Sequence, residues 1–271
     1  MAETPGVRAG EPGGGARAAL RAAFDELIGD LVQAREAIDD PERHAPPPTE
    51  RGLAEGYRYL LGFVYGAIGR ALGDPLYPSF RRAIEPLDKG TIDNADAVYL
   101  CAPIDGERSY LVRARAGDTR HWRGEPAAPS VRRAPQYVIF ETPSGYAGDS
   151  GSIAELRPGS RANGGVLDSS KLAVEADGTF EVLLAPERPE GYRGNFIPTQ
   201  ALRRVRQPDG SARTVGFTSR WLVLRELFHD WEREDPLDLE IVRLGSEGTA
   251  PAALDPVRAA ALLRRVGEIV K

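Results

Sequence analysis

Cysteine occurs once in 271 residues, at Cys101, and histidine only three times, at His44, His121 and His229. A single thiol cannot close an intrachain disulfide, and within the apolar run AVYLCAP it reads as a small buried hydrophobe, which fits a reducing cytoplasm. Histidines this far apart, with one thiol to help, make no ligand set for zinc, iron or copper, so the expectation is no metal and no tightly held cofactor. No apolar run approaches the roughly 20 residues that cross a bilayer. The opening MAETPGVRAGEPGGG has neither the basic start nor the apolar centre of a signal peptide, and residues 1–15 read as a flexible leader. Charge of one sign is missing too: 35 basic residues against 40 acidic ones give a net charge of -5, with no field to draw phosphate backbones. Nucleic acid and membrane are therefore not expected partners. Walker spacing, a strand-linked GxGxxG and a Gly-x-Ser-x-Gly elbow are all lacking, and Ser150 and Ser152 among glycines read as loop.

What the chain does have is 41% hydrophobic residues, enough for a substantial core, and two clear periodicities. Leu20, Phe24, Leu27, Ile28, Leu31 and Ile38 recur at helical spacing and predict a helix over 16–38, ended before Pro41. Thr49 is placed to cap a second helix whose expected inner face is Leu53, Tyr57, Leu60, Leu61, Val64, Ile68 and Leu72. That helix carries glycines at 62, 66, 69 and 73, each costing about 1 kcal/mol relative to alanine, so close backbone packing or a ligand must use the room. Pro78 predicts a short helix through Ile84. At the other end Asp255 and Pro256 are a cap and first residue for a helix within 251–271, with Ala260, Leu263, Val266 and Ile269 or Val270 inward.

Between the helical segment 16–90 and that last helix the period falls to two, predicting about eight strands over 91–250. Strands are expected at 97–102, 109–115, 119–122 and 137–141, and at 239–244. In the stretch 166–198 an Ala176-Asp177-Gly178 turn precedes alternating Phe180, Val182 and Leu184, which predicts a hairpin sharing one sheet with its neighbours. RWLVLRELFHDW (220–231) reads as a long central strand, apolar on both faces at first. Connections this short exclude crossover helices, so the expected fold is α+β: an antiparallel jelly-roll-like β-sandwich with N-terminal helices and a C-terminal helix.

Three segments, GTIDNADAVYLCAPIDGERSYLVRARAGD (90–118), ADGTFEVLLAPERPEGYRGNFIP (176–198) and LVLRELFHDWEREDPLDLEIVRL (222–244), resemble the domain of unknown function 1214 family. The shared pattern is an Asp-Asn-x-Asp-x-x-Tyr stretch, an Asp-Gly-x-Phe-Glu segment followed by Asn-aromatic, then an Arg and Phe-x-Asp-Trp before the last strand. It covers about two thirds of the chain. The resemblance implies a jelly-roll sandwich with added helices and no established reaction. The basic stretch 201–216, ALRRVRQPDGSARTVG, departs from that pattern by its length.

Arg225 alternates with Val223, Leu227, His229 and Trp231, and on an inward face it would need an anionic or carbonyl partner such as Asp93, Asp96 or Glu141. A structural ion pair and a ligand-facing arginine with His229 as acid or base are the two readings. Asp93, Asn94 and Asp96, with Asp149, could offer oxygen ligands to a hard cation, although Asx-capped turns account for them as well. The catalytic candidates are thus Arg225, His229 and Asp93. Asn94, Asp96, Tyr99, Glu141, Tyr192, Asn195, Asp230 and Trp231 would line a mouth bounded by 93–99, 186–198 and 220–231. The expected function is binding and transformation of a small, partly apolar oxygenated molecule by a cofactor-independent lyase or hydrolase. A non-catalytic binding module, or an assembly protein using the glycine-striped helix 53–72, are the alternatives, and an oligomer is open.

Overall fold

A computed structural model describes residues 14–43, 49–88, 94–126, 128, 131–145, 160–206 and 210–271. His44, Asp93, Asp149, Ser150 and Ser152, with nearly all of the leader, lie outside the described residues. Helix α1 (Gly14–Asp39), helix α2 (Glu50–Ala71) and helix α3 (Pro256–Val270) form as their caps dictate. The Thr49 hydroxyl accepts from the Gly52 amide at 3.1 Å, and the Asp255 carboxylate accepts from the Arg258 amide at 2.8 Å. The three helices bury a common seam of Ala34, Ala67, Ala71, Val266, Ile269 and Val270.

Eleven strands lie among the described residues. They are β1 (Arg81–Ile84), β2 (Ala97–Pro103), β3 (Tyr110–Arg115), β4 (Tyr137–Pro143), β5 (Asn163–Asp168), β6 (Thr179–Ala185), β7 (Asn195–Pro198), β8 (Gln200–Arg206), β9 (Ala212–Thr218), β10 (Trp221–Leu227) and β11 (Asp238–Arg243). A five-stranded sheet runs β1-β2-β10-β4-β5, a four-stranded sheet runs β11-β3-β6-β7, and β8 and β9 form a separate two-stranded ribbon. All pairs are antiparallel except β6 with β7. The two larger sheets face each other across one core: Leu222, Leu224, Val138 and Phe140 from one, Tyr110, Val112, Val182 and Leu184 from the other. Phe140 and Phe180 meet edge to face at 6.3 Å. The molecule is an α+β sandwich of mostly antiparallel sheets, and among the described residues no helix is long and apolar enough to cross a membrane.

Several expectations are corrected here. The segment after Pro78 is strand β1, not a helix, and 120–123 is a 3-10 turn, not a strand. The hairpin expected over 166–198 does not exist: β5 belongs to the five-stranded sheet and β6 to the four-stranded one, so the turn at Gly178 (φ 84) closes an arch between sheets. The turn at 104–106 does the same between β2 and β3. The long strand at 220–231 is central as expected, but it stops at Leu227.

Helix α2 is rotated from its expected setting. Tyr57, Leu61, Ile68 and Leu72 are exposed, while Gly62, Gly66, Ala67, Arg70 and Ala71 are buried. The glycine side meets the chain that runs through β1. A Cβ on Gly62 would lie 1.9 Å from the Leu87 carbonyl oxygen, and one on Gly66 would lie 2.0 Å from the Asp88 carboxylate. On Gly69 it would come within 3.0 Å of the Arg81 guanidinium. Close intramolecular packing therefore uses the room that the glycines leave.

Candidate functional site

The outer face of the five-stranded sheet is where helix and sheet leave a gap. Register places Arg81, Cys101, Val223 and Glu141 in one row across β1, β2, β10 and β4, and Tyr99, Arg225 and Ile139 in the next. Ala83, Cys101, Trp221, Tyr99 and Val223 cluster there as an apolar floor. Over them lies α2, and the cleft between has a volume of about 290 Å³. Its helix wall is Tyr59, Phe63 and Arg70, with the two rings stacked at 6.0 Å and the Arg70 guanidinium 5.3 Å above Phe63. Arg81, Asp88, Glu141, Arg161 and Asn163 complete the polar lining.

Burial decides what these charges can do. Arg70 is 8% exposed and Asp88 is 6% exposed. Burial pushes the Asp88 carboxyl above its ordinary value, and Arg70 and Arg81 pull it back. The Tyr59 hydroxyl is pushed up, first by burial and then by Asp88. Glu141 accepts a hydrogen bond from Asn163 Nδ2 at 2.8 Å. Arg81 Nη1 donates to the Arg82 carbonyl at 3.2 Å, but its buried Nε finds no acceptor among the described residues. This nitrogen is an unmet buried donor at the wall of an open volume, and a small shift of the side chain would bring it to a ligand there.

Of the residues picked from sequence, Tyr99 and Glu141 line this cleft, and Arg225 lies on the same sheet face one row further out. Arg225 is exposed, because the core takes the even-numbered side chains of β10, Leu222, Leu224 and Glu226. The inward setting and the buried ion pair weighed for it are both corrected. His229 is exposed beyond the strand end, where its backbone amide donates to Glu234 Oε2 at 2.9 Å. Asp230 caps the following turn, accepting from the Glu232 amide at 3.0 Å, and Trp231 stacks on Phe228 at 4.1 Å. Asn94 accepts from the Asp96 amide at 2.9 Å, which is the Asx turn, and the Asp96 carbonyl accepts from the Phe228 amide.

Tyr192 and Asn195 stand with the other sheet, so the mouth expected from 93–99, 186–198 and 220–231 is not formed. Asn195 spans loop and sheet through Ala173 and Glu181, and the Tyr192 hydroxyl donates to the Asn195 carbonyl at 3.2 Å. Both are occupied in holding β7 to its neighbours.

Arg70, Arg81, Asp88 and Arg161 escaped the reading of the sequence. One signal for Arg70 was available: it interrupts an apolar helix beside the glycine side, where a long charged chain must find a place between helix and sheet. A second missed group is Glu226, wholly buried on the inner face of β10 between Val98 and Val138. Its Oε1 accepts from the Leu237 amide at 2.9 Å, while Oε2 has no partner among the described residues. Burial pushes its pKa from 4.5 up to about 7, against the Leu237 hydrogen bond and the charge of Arg82. It lines no cleft described here. Among the described residues, no group of three His, Cys, Asp or Glu is placed to hold a metal ion.

A trough of about 620 Å³ lies on the outer face of the four-stranded sheet. Its side chains Arg113, Glu181 and Glu240 are 52%, 57% and 62% exposed and pair with one another. Such groups are already solvated, and a ligand would gain little from them.

No family model matches this sequence, and no curated protein matches it. Among solved structures, an uncharacterized protein from Burkholderia cenocepacia is similar in fold, with a TM-score of 0.71 at 24% identity. The alignment covers 94% of this chain and 59% of that one, so the chain described here spans somewhat more than half the length of its structural neighbour.

Proposed function

We propose that the cleft between α2 and the five-stranded sheet binds a small, partly apolar organic molecule bearing oxygen functions. The observation that carries this is the pairing of charge with aromatic surface in one cavity: buried Arg70 and Asp88 and half-buried Arg81 face the same space as half-buried Phe63 and Tyr99 and the more exposed Tyr59. A few oriented polar groups in apolar walls are what a small-molecule site requires. A second reading, a cofactor-independent lyase or hydrolase, is favoured by Asp88 and Tyr59, two titratable groups whose values burial raises within reach of arginines. Assembly through the glycines of α2 has no support, because the chain's own β1 segment fills them.

Membership of the domain of unknown function 1214 family is our reading of the motifs at 90–118, 176–198 and 222–244. The jelly-roll description of the sandwich is likewise a proposal, supported by the pairing of early β2 with late β10. The buried thiol of Cys101 supports a cytoplasmic location.

A methyl-labelled NMR screen of small oxygenated fragments tests the cleft. Hits should shift the methyls of Ala83, Ile84 and Val223 and leave those of Ala114 and Leu239, in the trough on the other sheet, in place. Hits confined to Ala114 and Leu239, or none at the cleft, would overturn the assignment.

A further inference from the structure

Resting on the cleft as the ligand site, we infer that its ligand is a carboxylic acid, bound as the monoanion through the Arg81 guanidinium with an apolar body lying against Tyr59, Phe63 and Tyr99. Three arginines and two carboxylates form the charged lining, which leaves one positive charge in excess. Glu85, the acid next along the chain, takes a hydrogen bond from the Tyr65 hydroxyl, and Glu141 takes one from Asn163. Asp88 is the counter-charge of the arginines behind the cleft, set into the notch at Gly66.

Arg81 is the odd member. Its guanidinium occupies the notch at Gly69, one Nη is tied to the Arg82 carbonyl, and Nε is buried with no acceptor among the described residues. Backbone register sets Arg81 in the same row as Val223 and Glu141, so its side chain starts from the face of the sheet that floors the cleft. A planar carboxylate matches a fixed guanidinium edge, whereas a dianion would bring one negative charge more than the lining offsets. The apolar floor and the stacked Tyr59 and Phe63 rings suit a flat or branched hydrocarbon body more than a second polar group.

The test is an NMR titration with a panel of small aryl and alkyl carboxylates, each beside its primary amide and its phosphonate, read at the methyls of Ala83, Ile84 and Val223. In the parent, acids should bind about 10- to 100-fold more tightly than their amides, the usual margin of a charged over a neutral hydrogen bond in a buried setting. Arg81→Met should bring the acids down to the amides while leaving amide affinity within about twofold, and Arg81→Lys should fall between. Amides equal to acids in the parent, phosphonates tighter than acids, or a preference that survives Arg81→Met would each sink the carboxylate assignment and leave the cleft as a site. If none of the three series moves the cleft methyls, the proposed site itself falls. Should Arg81→Met not fold by its melt, the parent ratio together with Arg81→Lys decides.

Discussion

The two outer sheet faces use the same residue types to opposite ends. On the four-stranded sheet Arg113 reaches Glu181 and Glu240 in open solvent, and water screens each pair. On the five-stranded side the packing of α2 buries Arg70 and Asp88 and half-buries Arg81, and the same chemistry becomes a set of groups that need one another. Volume does not follow burial, with 620 Å³ on the open face against 290 Å³ beside the helix. Coverage by a helix, which removes the water, is what sets the two groups of charges apart.

The largest test of that contrast is a matched pair of substitutions. Arg70→Met leaves Asp88 buried without its strongest counter-charge and should cost about 3–5 kcal/mol of unfolding free energy in a denaturant titration. Arg113→Met, which removes two ion pairs, should cost less than about 1 kcal/mol. Equal losses would erase the distinction between the faces.

A middle-sized effect separates both faces from the interior. Glu226 is held protonated by burial, so the folded protein binds a proton there that the unfolded chain releases near pH 4.5. Stability from this group is present below pH 4.5, declines as pH rises towards about 7, and is then fully lost. Glu226→Gln, neutral at every pH, should therefore be more stable than the parent at pH 8 by about 2–3 kcal/mol, the advantage closing by pH 5. A difference that does not vary with pH would mean that Glu226 is not the titrating group.

The smallest effect belongs to Arg225, which lies outside the covered part of its face. Arg225→Ala should change stability by less than about 1 kcal/mol, as exposed substitutions do, and leave the Arg81-dependent preference for acids intact. Loss of that preference would extend the site outward by one row.

Much of this is legible in the residues alone. Thr49, Asp255 and Pro256 are local signals with local consequences, and the alternation in β3 and β6 marks core-facing residues correctly. Strand partners were not legible, because Ile104-Asp105-Gly106 and Ala176-Asp177-Gly178 carry turn chemistry that serves an arch between sheets as well as a hairpin within one. The face of β10 was ambiguous because Trp221 to Leu224 are apolar on both sides, and Glu226, polar yet inward, breaks the parity that would have settled it. The setting of α2 was read only in part, with Leu60 and Val64 packed on the helical seam as expected and Tyr57, Leu61, Ile68 and Leu72 exposed, for a related reason. Hydropathy counts Leu61 and Ile68 and is blind to Gly62 and Gly66, whose value is the close approach of backbone. The cleft depends on that approach, so Arg81 and Asp88 became visible as site residues only once helix and sheet were placed together.

The order β1-β2-β10-β4-β5 has a consequence for how the chain is made. As it emerges from the ribosome, β2 and β4 each wait with an open edge, because the strand that joins them begins at Trp221, more than a hundred residues after β2 ends. Until then the floor beneath α2 is incomplete, and two apolar strand edges are exposed to any other nascent chain. Closure of this sheet is a late, long-range event, which sets a slow folding rate and makes the interval before β10 arrives the time of greatest risk of aggregation.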